Sequence, residues 1–142
     1  MAQTVGGVFQ PSQDQQFGGG VLTDCSTSQL GVGYTTGSGG TVTQATNKST
    51  AVTLNKLCGS ITTNNASLAN ATAVGFTVTN NTVAATDVVN VCIKSGATAN
   101  SYLLSVDAVA AGSFHLCIYN LTGGSLAEAL VINFAVSKSV AS

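Results

Sequence analysis

The sequence predicts an all-β fold: an antiparallel β-sandwich, jelly-roll-like or Ig-like, with an extended N-terminal arm. Three observations lead there. Apolar and polar residues alternate with period two through most of the chain after residue 40, as half-buried strands do. The apolar residues are chiefly Val, Ala and Leu among many Thr, Ser, Asn and Gly, and β-branched side chains suit a pleated surface. Only 6% of the 142 residues are charged against 44% hydrophobic, so hydroxyls and amides must keep the surface wet, or partner chains must cover it. The length is that of one domain, able to bury about two-thirds of its unfolded surface without staples.

Residues 1–40 form the predicted arm and linker. Residues 1–20 are rich in Gly and Gln, hold the single proline, Pro11, and offer Val8, Phe9 and Phe17 as isolated apolar anchors without periodicity. Two readings stand: a floppy terminus, or a tether that orders against another subunit with its aromatic side chains as plugs. The stretch Gln29-Leu30-Gly31-Val32-Gly33-Tyr34 suggests an edge strand before the linker Thr36-Gly37-Ser38-Gly39-Gly40.

Residues 41–142 form the predicted sandwich, with strands at 41–46, 50–55, 58–64, 73–80, 87–94, 101–109, 113–121 and 129–137. Alternation gives each late strand a core face. Val89, Val91 and Ile93 share one, as do Phe114, Leu116 and Ile118, and Ile132, Phe134 and Val136. Phe76 pairs with Val78 in the same way, and Tyr102, Leu104, Val106 and Ala108 form a further set. Together they make a core between sheets about 10 Å apart. Gly and Asn mark turns at 94–100 and 121–125, and Ala110-Ala111-Gly112 suits a hairpin. A single helical turn within Asn64–Ala73 is the one helical hint, and Ser125-Leu126-Ala127-Glu128 reads as a loop into the last strand despite its capping-box spacing.

Composition excludes several functions. The chain has no Arg, four Lys and a net charge of -1, so no basic stripe exists to neutralise phosphates and nucleic-acid binding is not expected. Asp14, Asp24, Asp87, Asp107 and Glu128 are too scattered for an EF-hand, an acidic tail or a paired-carboxylate glycosidase. His115 is the only imidazole, and Cys117, two residues away along one strand, lies about 7 Å off, beyond hydrogen-bond reach. His115 therefore reads as a surface or interface histidine, and no enzyme is expected. The glycine-rich 31–37 stretch fits neither a dinucleotide fingerprint nor a P-loop. No cofactor is expected, and no C-x-x-C or H-x-x-x-H element supports zinc.

The start has neither a basic n-region nor an apolar h-region, and no apolar run approaches the roughly 20 residues of a membrane span. The expectation is a soluble protein made in a cytoplasm. There Cys25, Cys58, Cys92 and Cys117 are expected as free thiols, with a disulfide between Cys92 and Cys117 as the alternative, since both fall on non-core strand faces. The five Asn-x-Ser/Thr triplets, at Asn47, Asn65, Asn70, Asn80 and Asn120, are taken as chance in an Asn- and Thr-rich chain.

Three segments carry a family likeness: 75–89 (GFTVTNNTVAATDVV), 105–114 (SVDAVAAGSF) and 120–136 (NLTGGSLAEALVINFAV). From about Gly40 to the end, the chain resembles a β-rich module of tailed-bacteriophage structural proteins. A short stand-alone copy is similar to the capsid decoration, or cement, proteins that sit on the head as trimers. In other phage proteins a similar domain ends a longer tail or fibre chain; none precedes residue 1 here, which favours the stand-alone role. The resemblance implies a non-enzymatic virion protein on the outer capsid surface, with the major capsid protein and further copies of itself as partners. Val8, Phe9 and Phe17 become candidate capsid or subunit contacts. The alternative is a tail-fibre or tailspike-associated module binding a host-surface glycan. A glycan site is expected to show an exposed aromatic platform, and the chain offers only Tyr34, Tyr102 and Tyr119, with no Trp.

Overall fold

The computed structural model describes residues 33, 34 and 37–141. Val8, Phe9, Phe17, Cys25 and the suggested 29–34 edge strand, except Gly33 and Tyr34, lie outside the described residues. The chain divides after residue 36, into Met1–Thr36 and a compact unit Gly37–Ser142. All named strands belong to the second: β1 (Gly39–Thr43), β2 (Val52–Thr53), β3 (Cys58–Thr62), β4 (Ala73–Thr79), β5 (Val88–Ser95), β6 (Tyr102–Ala110), β7 (Ser113–Asn120) and β8 (Val131–Ser137). Each overlaps a predicted strand, with β1 beginning two residues early, on Gly39 and Gly40 of the predicted linker.

The strands form two four-stranded sheets, in the orders β1-β3-β8-β5 and β2-β4-β7-β6, packed as a β-sandwich. The pairs β3·β8, β5·β8, β4·β7 and β6·β7 are antiparallel. The edge pairs β1·β3 and β2·β4 run parallel. Their parallelism follows from the path: after β1 the chain crosses to the facing sheet for β2, then returns for β3 in the direction of β1. The only connection that stays within a sheet is the β6–β7 hairpin, closed by Ala111 and Gly112 between the paired Ala110 and Ser113.

The inward faces match the alternation. Ile61, Phe76, Val78, Phe114, Leu116, Ile118, Leu130, Ile132, Phe134 and Val136 are buried between the sheets. Burying a side chain of this size contributes about 2–3 kcal/mol. Phe114 of β7 and Phe134 of β8 join the sheets, their ring centroids 5.4 Å apart and tilted by 50°.

Two expectations need correction. Ala108 is exposed and Val109 packs against the core in its place, because β6 carries an extra residue: pairing runs Val106↔Leu116, then Ala108↔His115. This β-bulge flips the alternation beyond Asp107. The 64–73 segment contains no helical turn. Instead Leu68 forms an isolated antiparallel bridge with Leu126, with reciprocal N–H···O bonds of 2.8 and 3.0 Å.

Buried polar residues hold the loops. Asn80 and Asn120, both fully buried, end β4 and β7 with one shared device. Each side-chain oxygen accepts from the backbone N–H and the hydroxyl of the threonine two residues on, Thr82 (3.0 and 2.7 Å) or Thr122 (2.9 and 2.8 Å). Each side-chain amide then ties down distant backbone: Asn80 donates to Lys56 O (2.7 Å), and Asn120 to Leu68 O, Ala69 O and Gly124 O. At Asn47 the side-chain oxygen accepts from Ser49 N and Oγ in the same way. Three of the Asn-x-Ser/Thr triplets are thus Asx turns stiffened by a hydroxyl rather than accidents of composition.

Lys48 is a buried cation, 3% exposed, donating to the carbonyls of Asn64 and Glu128 at 2.5 Å each. Burial pushes its ammonium below the usual lysine range, partly opposed by the Glu128 charge. Asp87 accepts from Ala84 N (2.8 Å), Lys138 Nζ (2.6 Å) and Ser139 N (3.3 Å), joining the entry of β5 to the exit of β8. The Ala84 N–H and the Lys138 ammonium lead in holding its carboxyl below the ordinary value of 3.8, against the opposing effect of burial. Because the folded pKa is the lower one, the unfolded chain takes up more protons as pH falls below 3.8, and the Asp87 contribution is lost through the folded pKa. Urea unfolding from pH 6 to 2 should therefore show a steeper acid loss for the parent chain than for Asp87→Asn. Equal slopes would remove Asp87 as a cause.

Candidate functional site

The outer faces of the two sheets carry the accessible chemistry. On β2-β4-β7-β6 the outward side chains of β7 are Ser113, His115, Cys117 and Tyr119, flanked by Thr77 and Gly75 of β4 and Ser105 and Leu103 of β6. His115 Nδ1 lies 2.5 Å from Asp107 Oδ1, and both side chains are at least a third exposed. The bulge builds this pair: Asp107 is the extra residue of β6 beside the Ala108↔His115 register point. A Cβ at Gly75 would lie 2.3 Å from His115 Cε1 and 2.8 Å from Nε2, so the imidazole occupies the space that a side chain at this strand position would take.

The pair orients an imidazole, with the hydroxyl-bearing Thr77, Ser105 and Ser113 at neighbouring outward positions. No hydrogen bond links Cys117 to His115, and burial, followed by the Asp107 charge, pushes the Cys117 thiol up and keeps it protonated at neutral pH. Asp87 bonds Lys138, Asp107 bonds His115 and Glu128 bonds Thr98, so the three described acids sit in separate neighbourhoods. Among the described residues, no group of three His, Cys, Asp or Glu side chains is placed to hold a metal ion. No helix among them is long and apolar enough to cross a membrane.

Cys92 and Cys117 do not pair. Cys92 lies on β5 in one sheet and Cys117 on β7 in the other, each pointing away from the core, so the full thickness of the sandwich separates them. Cys58, Cys92 and Cys117 are free thiols. Burial also raises the Cys58 thiol, partly offset by Lys56.

On β1-β3-β8-β5 the outward residues are mostly small and uncharged: Thr41, Cys58, Ser60, Thr62, Asn133, Ala135, Asn90 and Cys92, with Val131, the 53% exposed Val88 at one end of β5 and Lys94 near the other. Ser60 Oγ donates to Asn133 Oδ1 at 2.5 Å. Between β5 and β8 the short side chains leave a depression of about 350 Å³ lined by Asn90, Val91, Cys92, Asn133, Phe134 and Ala135. A second depression, about 250 Å³, lies at the β5–β6 loop and is lined by Lys94, Ser95, Thr98, Asn100 and Tyr102 among others. Tyr102 is no platform there, because its ring packs against the core. Its hydroxyl is buried beside the Glu128 carboxylate, and burial first, then the hydrogen-bonding interaction with that carboxylate and its charge, raises the Tyr102 pKa.

The candidate contacts Val8, Phe9 and Phe17 lie outside the described residues. Alternation did not reveal the Asp107–His115 pair, because the bulge has no signature in the β6 sequence. No protein-family model, no curated protein and no solved structure matches the chain.

Proposed function

We propose that this chain is a capsid decoration protein of a tailed bacteriophage, a non-enzymatic homotrimer that binds the outer face of the head and stabilises it against internal pressure. The observation that carries the reading is the β1-β3-β8-β5 outer face, whose strands bear one charged side chain, Lys94, among Thr, Ser, Asn, Ala and Cys and the outward Val88 and Val131. Such a surface can be covered by protein without desolvating unpaired ions. The major capsid protein and further copies of the chain are the partners, and many weak attachments on one shell add up through multivalency. Nucleic acid and membrane are not partners in this reading. Val8, Phe9 and Phe17 supply added shell or subunit contacts.

Purified protein should bind expanded empty heads at a fixed ratio per capsomer, and heads stripped of it should burst at lower temperature. Deleting residues 1–20 should leave a folded oligomer with weakened head binding; unchanged affinity would remove the arm from the reading. The polar depression at the β5–β6 loop favours a second reading, a tail-fibre or tailspike-associated glycan-binding module. Binding to host cells together with failure to bind heads selects it.

A further inference from the structure

The strand edges of the sandwich are poor sites for association. β1 is short and opens on two glycines, β2 has two residues, β5 shifts register next to Lys94 and β6 carries the Asp107 bulge. Short, bulged or lysine-bearing edges resist strand addition, which leaves the faces.

The two faces are complementary. The β1-β3-β8-β5 face has the 350 Å³ depression beside β5, and its one charge is positive, at Lys94. The opposite face has a projection: Leu103 of β6 is 58% exposed, Leu121 after β7 is 53% exposed, and a bond from Leu121 N to Ser101 O holds it next to β6. The one formal charge on that face is negative, at Asp107. Depression and projection flank the same side of the molecule, because β5 and β6 are the edges of their sheets and lie side by side. A depression and a projection on opposite faces of one edge make a heterologous contact between identical copies, which yields a ring where the rotation between copies closes.

Area points the same way. Four strands at about 4.8 Å spacing and about six residues at 3.3 Å each give a face of about 400 Å². As a flat footprint this understates the accessible area, and one such face falls at the low end of stable two-protein interfaces, whereas a ring uses both faces of every copy.

We propose that the chain assembles with copies of itself by seating Leu103 and Leu121 of one copy in the Asn90–Cys92/Asn133–Ala135 depression of the next. This names the self-contact of the decoration reading and rests on that reading for the copy number. Analytical ultracentrifugation of the full chain at micromolar concentration should give a trimer. Leu103→Glu and Ala135→Arg should each give monomer while retaining the parent's circular dichroism and a cooperative thermal transition, lowered only by the loss of assembly. Thr53→Lys, on β2 at the far edge, should remain trimeric. Under mild oxidation, Leu103→Cys should form disulfide-linked species that end at three chains and vanish when Cys92→Ser is added. A monomeric parent chain, trimers that survive both face substitutions, or cross-links indifferent to Cys92→Ser would each overturn the proposal. Head binding is scored separately: a monomer that decorates heads refutes this contact alone, and a trimer that ignores heads refutes decoration alone.

Discussion

Gly96→Ala should cost about 3–4 kcal/mol of unfolding free energy, among the largest effects of any single-methyl addition in the sandwich. Two causes act together. Gly96 has φ +85°, where an L-residue is strained by about 1–2 kcal/mol. An added Cβ would also lie 2.1 Å from the carbonyl oxygen of Ala129, a backbone atom that moves only if the approach to β8 moves with it. Urea unfolding of the two chains measures the cost. A loss below about 1 kcal/mol would show that the 95–101 loop relaxes freely around the methyl.

The second large effect is expected at Asn120. Its amide donates to three carbonyls, Leu68 O (3.1 Å), Ala69 O (3.0 Å) and Gly124 O (2.9 Å), while its oxygen accepts twice from Thr122. Asn120→Ala leaves these buried groups unpaired and should cost about 3 kcal/mol. Asn120→Asp should cost more at neutral pH, because a carboxylate has no proton to donate and faces three carbonyl oxygens. The aspartate variant should regain part of its stability as pH falls, since burial raises the acid's folded pKa and the protonated form restores one donor. Asn80→Ala, which removes one donated bond to Lys56 O, should cost less than Asn120→Ala. An aspartate variant equal to the alanine variant at neutral pH would mean that water reaches the site.

The strands were legible because inward and outward positions differ chemically: Phe114, Leu116 and Ile118 alternate with Ser113, His115 and Cys117, and the structure buries the first set. Alternation tells which side of a strand is dry without telling which sheet the strand joins. Cys92 and Cys117 therefore look like neighbours in sequence and lie on opposite outer faces. Bulges leave no mark either: Val106-Asp107-Ala108-Val109 reads equally well with Ala108 or Val109 inside, and the β7 register decides. Lys48 was illegible for a related reason. A lysine between polar neighbours looks solvated until the backbone of Asn64 and Glu128 closes over it. The Asn-x-Thr turns at Asn80 and Asn120 were visible as triplets, but their shared role depends on carbonyls up to 52 residues away.

The order in which the strands are synthesised has a consequence for how the protein comes to exist. β8 is the last named strand, and it lies between β3 and β5 in its sheet. A nascent chain still held by the ribosome short of Val131 has β3 and β5 with nothing between them, and Ile61 and Val89 have no β8 neighbour to close their sheet. Folding of that sheet must wait until β8 has emerged, and because a low charge density favours association, the exposed strands need shielding, as by a chaperone, until Ser137 is out.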